Sequence, residues 1–246
     1  MIDVTAEGPV VRITLNAPER HNALDRGGVN DFLAALNGLS AETRAVVITG
    51  TGKSFCAGAA LGDVATSDWS ENPLTTLCDA LEAVRQPVIC ALNGGVYGGG
   101  VEVALACDFR IGVTGMRAFV PPAELGIHYP PQGLARAERL LGLQLTRRLF
   151  LLAERFEAPA LREVGFLDDL VKAEALDKTV AALTTRLTAL APLAVQGMKQ
   201  SLHDIGCGQI DTPEARTRIA ACFASEDHAE GLAAQKDRRQ PVFKGR

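Results

Sequence analysis

Hydrophobic positions follow a strand-like pattern in short runs of the first half and a helical period in the last third. The strand-like runs are Val10–Leu15, 45–49, Val88–Leu92 and 108–113. The run at 45–49 is apolar as far as Thr49, which indicates a strand buried on both faces of a parallel sheet. The helical period predicts helices at 25–39, 73–84, 101–107, 132–141, 144–152, 159–164, 174–190, 193–204, 213–223 and 226–236. This alternation predicts an α/β fold with a helical final third.

Composition and charge exclude several classes of protein. The 246 residues suffice for one large domain, or for one domain with an extension. A net charge of −4 argues against general binding of nucleic acid. No apolar run approaches the roughly 20 residues that span a bilayer, so no membrane association is expected. Residues 1–5 lack a basic or Arg-rich targeting character, which predicts a cytoplasmic protein.

The cysteines and histidines carry no signature of a metal site. The six cysteines show no CxxC spacing and mostly lie in apolar runs, so we expect buried free thiols. The four histidines are scattered along the chain. No metal is therefore expected.

The stretch from 88 to 107 combines a strand, a tight loop and a helix. Five of the eight residues from Asn93 to Gly100 are glycines, which indicates positive φ or a close approach of the backbone. The helix that follows offers free N–H groups and carries one charge, Glu102. The pattern predicts a site for an anion or a developing oxyanion with Glu102 beside it. A glutamate in a first helical turn can also serve only to complement the helix dipole.

Three nucleotide or nucleophile motifs fail on their spacing. Gly52-Lys53-Ser54 resembles the end of a P-loop, but Val47 occupies the place of the required first glycine. The glycines from Gly98 do not form G-x-G-x-x-G, because the last position is Val103. No G-x-S-x-G nucleophile elbow occurs.

Two glycine-rich loops, each after a buried strand, resemble the enoyl-CoA hydratase/isomerase (crotonase) superfamily. They are Phe55-Cys56-Ala57-Gly58-Ala59 and Gly98-Gly99-Gly100-Val101-Glu102. Further segments similar to the family occur in order along the chain: Asn16-Ala17-Pro18 with Asn22-Ala23-Leu24, Gly165-Phe166-Leu167-Asp168, Ala191-Pro192-Leu193-Ala194 with Lys199, and Ser225-Glu226-Asp227 with Arg239-Gln240-Pro241-Val242-Phe243.

The resemblance implies a spiral of ββα units at 1–191, which carries the acyl-CoA site, and a helical C-terminal trimerisation module at 192–246. It implies an acyl-CoA thioester substrate and no cofactor, since coenzyme A is part of the substrate. The thioester oxygen would lie between the N–H groups of Ala59 and Gly99, which would stabilise an enolate. Glu102 would be the general acid/base. The implied activity is hydration of a 2-enoyl-CoA in fatty acid metabolism, with isomerisation as an alternative.

The second glutamate of the family's hydratases has no clear counterpart. Counting back from Leu125-Gly126, its place is taken by Pro122, and Glu124 falls two residues later. Glu124 stays a candidate catalytic residue if the alignment contains a one-residue gap. The family's Ala-Asp-Leu after the first loop is Ala59-Ala60-Leu61 here. A single acid/base group suits isomerisation, or a decarboxylation that needs only the oxyanion hole and a proton donor.

Tyr129 is a further candidate. The segment Leu125–Tyr129 resembles a loop of methylmalonyl-CoA decarboxylases in the same superfamily, where a tyrosine helps hold the carboxylate. The alternative is a ring packed in a proline-rich loop with its hydroxyl at the surface.

The resemblance also implies contacts with coenzyme A and between subunits. Arg20 and the backbone of Ala57 match positions that contact the nucleotide end, and a basic tail with Phe243 and Lys244 can complete the site of a neighbouring subunit. A solvated basic tail is the alternative. The expected assembly is a homo-oligomer, a trimer or a dimer of trimers. A catalytically inactive acyl-CoA-binding subunit is the alternative from another class.

Overall fold

The computed structural model describes residues 1–60 and 72–246, with ten strands and nine helices longer than five residues in those ranges. The strands are β1 (Ile2–Glu7), β2 (Val10–Leu15), β3 (Ala45–Gly50), β4 (Ser54–Cys56), β5 (Val88–Leu92), β6 (Gly95–Tyr97), β7 (Phe109–Val113), β8 (Arg117–Phe119), β9 (Phe156–Glu157) and β10 (Asp169–Val171). The helices are α1 (Arg26–Asn37), α2 (Pro73–Ala83), α3 (Gly99–Leu105), α4 (Pro131–Leu151), α5 (Ala158–Glu163), α6 (Leu176–Thr188), α7 (Pro192–Gly206), α8 (Pro213–Phe223) and α9 (Glu226–Asp237).

The strands form two sheets that advance together along the chain. The larger sheet has the order β1-β2-β3-β5-β7-β10, and the smaller has β4-β6-β8-β9. Each of the pairs β3/β4, β5/β6 and β7/β8 contributes its first strand to the larger sheet and its second to the smaller. The β3, β5 and β7 strands pair in parallel, as do β4, β6 and β8. This is the predicted spiral of ββα units.

The larger sheet is buried where its sequence is uniformly apolar. β3 pairs in parallel with β2 on one side and β5 on the other. Val46, Val47 and Ile48 are almost completely buried, as is every residue of β5. Covered faces on both sides explain why β3 and β5 are continuous apolar runs instead of alternating ones, and the prediction for 45–49 is confirmed.

Helix boundaries agree with the hydrophobic period and with local caps. The Asp25 carboxylate accepts from Gly28 N at 2.7 Å and starts α1. Asn72 caps α2, whose first residue is Pro73. The predicted break between 141 and 144 is a kink within α4 at Gly142, where φ is +75°.

Short strands of the smaller sheet were not predicted. β4, β6 and β8 have three residues each; β4 and β6 lie inside the two glycine-rich loops, and β8 lies where no element was predicted. Runs this short carry no periodic signal, and their pairing depends on partners far along the chain. Each of the two predicted glycine-rich loops therefore contains a short strand, and a glycine with positive φ follows it within two residues.

The last three helices are joined by short turns and leave apolar side chains exposed in the single chain. Those exposed by half or more are Met198, Leu202, Ile205, Ile219, Phe223 and Leu232. No helix among the described residues is long and apolar enough to cross a membrane. The described residues also contain no cluster of side chains suited to a metal ion.

Candidate active site

Two glycine turns meet where the smaller sheet ends. Gly58 follows β4 with φ +80°, and Gly98 follows β6 with φ +53°. A Cβ on Gly58 would lie 2.4 Å from Gly99 N, and one on Gly100 would lie 2.4 Å from the Cys56 carbonyl oxygen. Such contacts are too short for any side chain, so the close approach of the two loops requires glycine.

The backbone N–H groups of Ala59 and Gly99 donate no hydrogen bond to any described residue, although the N–H groups of their neighbours do. Ala57 N donates to His21 O at 3.0 Å, Ala60 N to Leu24 O at 2.9 Å, and Gly98 N to Phe119 O at 2.9 Å. Within the described part of the chain, the Ala59 and Gly99 N–H groups donate to no backbone or side-chain acceptor. Gly99 is the first residue of α3, so its N–H has no partner within the helix. Two free donors on facing loops are the components of an oxyanion hole.

Asn22 holds the first of these loops in place. It is fully buried, and its side-chain oxygen accepts from Ala17 N at 2.8 Å. Its Nδ2 donates to the carbonyls of Thr51, Ser54 and Phe55 at 2.9–3.1 Å. One side chain therefore holds the first two residues of β4, and the turn that precedes them, against the segment before α1.

A cavity of about 730 Å³ opens beside the two loops. Ala59 and Gly99 both line it, together with Ala57 and Gly98. The remaining lining residues come from α2 and its cap, from the loop before α4 and from the first two residues of α4: Asn72, Leu74, Thr75, Thr76, Pro121, Pro122, Leu125, Ile127, His128, Tyr129, Pro130, Pro131 and Gln132. A largely apolar cavity with few polar groups suits an acyl chain whose polar head lies at the loops.

Glu102 is not one of the described residues that line this cavity. It belongs to the first turn of α3 and is 2% exposed. Its Oε2 accepts from the Tyr129 hydroxyl at 2.7 Å, and its Oε1 accepts from Arg136 Nη1 at 2.5 Å. A buried carboxylate requires such partners, and here both oxygens have one.

Arg136 is buried at the centre of a network of charges that reaches the surface at Asp79. Its Nη2 contacts Asp79 Oδ1 at 2.7 Å and Glu82 Oε2 at 3.0 Å, both on α2. Glu82 also pairs with Arg139, one turn after Arg136 on α4. The network joins α2, α3 and α4 around Glu102. Tyr129, which donates to Glu102, lies between this carboxylate and the cavity.

Tyr129 links Glu102 to the cavity. It lines the cavity, and its ring packs edge-on against Phe150 at 4.8 Å between centroids. A Cβ on Gly133 would lie 2.4 Å from the Tyr129 ring and 2.8 Å from Glu102 Oε2, so α4 can pass this closely only with glycine there. The Tyr129 hydroxyl therefore has a fixed position between the acid and the open space.

Burial and charge shift the pKa values of this pair. Burial raises the pKa of Glu102 above its usual 4.5, although the hydrogen bond from Tyr129 and the charge of Arg136 lower it. Burial and the neighbouring Glu102 raise the pKa of Tyr129 well above 10. Tyr129 therefore keeps its proton at neutral pH and donates a hydrogen bond to Glu102.

The other predicted site residues lie elsewhere. Glu124 is exposed on a 3₁₀ turn, 3.9 Å from Arg155, and does not line the cavity, whereas Pro122 does. Arg20 pairs with Asp25 at 2.8 Å. The tail is held by its own chain, since Phe243 O accepts from Arg44 and Lys244 N donates to Asp227 Oδ1 at 2.6 Å. The roles predicted for these residues stay predictions. Leu61, at the end of the first loop's motif, lies outside the described residues.

Sequence reasoning missed Arg136. A signal was present, because Gly133, Arg136 and Ala137 follow the helical period of the buried side of α4. A buried arginine needs carboxylates beside it, and Glu82 of α2 and Glu102 of α3 supply two that are largely or fully buried.

Stacked parallel sheets, two unused N–H groups on facing glycine loops and a buried carboxylate define an enzyme of the crotonase class. A family model described as enoyl-CoA hydratase/isomerase matches residues 5–246. A probable enoyl-CoA hydratase of Mycobacterium leprae is 32% identical over the whole of both chains. A short-chain-enoyl-CoA hydratase of Clostridium acetobutylicum is 30% identical, with 95% of this chain and 94% of the relative covered.

Solved structures agree with the sequence matches. An enoyl-CoA hydratase subunit from Geobacillus kaustophilus superposes with a TM-score of 0.90 at 30% identity, covering 100% of this chain and 98% of that one. The chain belongs to the enoyl-CoA hydratase/isomerase family. The family and the crotonase-like fold predicted from the sequence are thus confirmed.

Proposed function

We propose that the protein is an acyl-CoA enzyme that adds water to a 2-enoyl-CoA thioester. The observation that carries the proposal is the pair of unused N–H groups, Ala59 and Gly99, on the wall of a largely apolar cavity. As water attacks the β-carbon, negative charge develops on the thioester oxygen. Two donors that are already oriented stabilise that charge, at about 3 kcal/mol of barrier each.

Glu102 is the acid/base group of this proposal. A single group can serve a syn addition, because the proton taken from water at the β-carbon can be returned to the neighbouring α-carbon. Its raised pKa brings the carboxyl closer to neutrality, where a proton carrier is most efficient. Pro122 lines the cavity at the place of the family's second glutamate, so hydration here would depend on Glu102 alone.

A homo-oligomer, a trimer or a dimer of trimers, is part of the proposal. The exposed apolar side chains of α7 and α8, among them Leu202 and Phe223, form a surface that a partner subunit would cover. We propose that 1–191 carry the acyl-CoA site and that 192–246 mediate assembly in the cytoplasm. Arg20, the Ala57 backbone and a neighbour's Phe243 and Lys244 would bind coenzyme A. Light scattering should show no monomer at micromolar concentration, and a stable active monomer would exclude this assembly.

A turnover panel tests the reaction. A short 2-enoyl-CoA, a 3-enoyl-CoA and a methylmalonyl-type CoA thioester separate hydration, isomerisation and decarboxylation. Hydration with loss of about 10²–10⁴ in kcat for Glu102→Gln supports the proposal. Turnover of the methylmalonyl thioester that tolerates Glu102→Gln but not Tyr129→Phe would identify a decarboxylase instead.

A second candidate is an acyl-CoA-binding protein without turnover. The contacts of Glu102 favour it, because Arg136 and Tyr129 occupy both carboxylate oxygens and the group does not line the cavity. This candidate predicts tight binding of saturated and unsaturated thioesters alike, with no product from any member of the panel.

A further inference from the structure

The proposed function, on which this inference rests, requires protons to pass between the cavity and Glu102. Glu102 is not one of the described residues that line the cavity. Tyr129 lines it and donates a hydrogen bond to Glu102. We propose that Tyr129 relays protons between the substrate and Glu102, and that Arg136 holds Glu102 in position for the relay.

The hydrogen-bond arrangement fits the first transfer. The Tyr129 hydrogen is donated to Glu102 Oε2 at 2.7 Å. A hydroxyl that donates its hydrogen keeps lone pairs that can accept from water or substrate. A water held beside the Tyr129 oxygen can therefore give up a proton while the phenol passes its own proton to the carboxylate.

The relay balances over the whole addition. The water oxygen forms its bond to the β-carbon, the π electrons move to the thioester oxygen, and the water proton goes to the Tyr129 oxygen as the Tyr129 proton goes to Glu102. The enolate then collapses, Tyr129 gives its proton to the α-carbon, and Glu102 returns one to Tyr129. The net change is the addition of one water, and both side chains regain their initial states.

Arg136 acts in this scheme as a positioning residue. Its 2.5 Å contact with Oε1 leaves only Oε2 for Tyr129. The charged or titratable groups facing Glu102 are Tyr129, Arg136, and Cys78, Asp79 and Glu82 of α2. Among them Arg136 lowers the pKa of Glu102, whereas Asp79 and Glu82 raise it. Removal of the cation should therefore weaken both the position and the ionisation of the carboxylate.

The decisive measurement is exchange of the α-protons of butyryl-CoA in D₂O, which requires proton transfer but no water addition. Tyr129→Phe and Glu102→Gln should each slow exchange by about 10²–10⁴. The double variant should be no slower than the slower single variant within about threefold, because both groups act in one path. Tyr97→Phe is the matched control, since Tyr97 packs against Phe119 away from the cavity lining and should exchange as the wild type does.

Several outcomes would overturn the relay. Exchange by Tyr129→Phe within about threefold of wild type would mean that Glu102 reaches the substrate itself. Additive losses in the double variant would mean two independent paths. Exchange by the wild type without hydration would overturn the proposed hydration but not the relay, whereas binding of butyryl-CoA without any exchange would overturn both.

The pH profile of exchange tests the role of Arg136. Arg136→Met should move the acidic limb to higher pH, because Glu102 loses the cation that lowers its pKa. Glu82→Gln is the milder variant, for use if Arg136→Met does not fold. It should move the acidic limb to lower pH, because Glu82 raises the pKa of Glu102. An acidic limb that does not move in a folded variant would exclude the positioning role.

Discussion

Gly58→Ala is expected to disable the oxyanion hole while leaving the fold largely intact. The added Cβ would lie 2.4 Å from Gly99 N, whereas ordinary Cβ contacts begin near 3.4 Å. Since the nearest atoms belong to the backbone of Gly99 and Gly100, the two loops must separate by about 1 Å to accept the methyl group. A displacement of about 1 Å at a reacting centre costs roughly 10²-fold in rate, and loss of one oxyanion donor costs about 10²–10³.

Backbone strain is the second consequence of this substitution. A matched control variant separates the effect of the strain from the effect of the clash. Gly58 has φ +80°, where an L-residue costs about 1–2 kcal/mol. Gly165 has φ +78°, and no described heavy atom lies within 4 Å of a Cβ placed there. Gly165→Ala therefore carries the same conformational strain without a clash at the loops.

The assay compares both variants in kcat/KM for a short 2-enoyl-CoA and in unfolding by denaturant. We expect kcat/KM to fall by about 10²–10³ in Gly58→Ala and by less than about threefold in Gly165→Ala. Gly165→Ala should lose about 1–2 kcal/mol of unfolding free energy through strain alone, and Gly58→Ala should lose more because the clash adds to the same strain. Equal kcat/KM values in the two folded variants would refute the idea that the Gly58–Gly99 approach builds the hole.

Three further predictions concern the Asn22 contacts with β4, the ionisation of Glu102 and the attachment of the C-terminal tail. Asn22→Ala leaves buried N–H and carbonyl groups unpaired around β4, so the free energy of unfolding should fall by about 3–5 kcal/mol in denaturant titration, and a loss below about 1 kcal/mol would contradict this anchoring. The rate kcat/KM should decrease on acidification at a pH above 4.5, because the relay needs ionised Glu102 and burial raises its pKa; a limb at or below 4.5 in a steady-state pH profile would argue against that base. The Arg239 guanidinium and Val242 N lower the pKa of Glu230 to about 2, so the tail's attachment should be fully present above pH 4.5 and be lost as pH falls toward 2. Glu230→Gln should accordingly speed tryptic cleavage after Arg239, and an unchanged rate would show that the ion pair does not hold the tail.

The repeating α/β pattern could be predicted because long elements carry their own periodicity. β3 and β5 are apolar throughout, and the boundaries of α1 and α2 coincide with Asp25 and Asn72 caps. The three-residue strands β4, β6 and β8 could not be predicted, because their pairing is decided by tertiary contacts. Those short strands nevertheless place the two glycine turns beside each other.

The glycine content identified the two loops, but the contacts of Glu102 could not be predicted from the sequence. The glycines before Glu102 predicted a site for an anion or oxyanion, and the resemblance to the family implied the pair of N–H donors at Ala59 and Gly99. No local sequence pattern predicts that Tyr129, 27 residues after Glu102, lies between Glu102 and the cavity. The pairing with Arg136 likewise depends on how α4 packs across α3, which is a property of the whole fold.

A crystal structure of the protein with bound butyryl-CoA tests the central claim most directly. We predict that the thioester oxygen accepts hydrogen bonds from Ala59 N and Gly99 N at about 2.7–3.2 Å, with the Tyr129 oxygen facing the α- and β-carbons. A thioester whose oxygen contacts neither N–H group, in a complex with the acyl chain in the cavity, would contradict the assignment of the oxyanion hole and with it the proposed reaction.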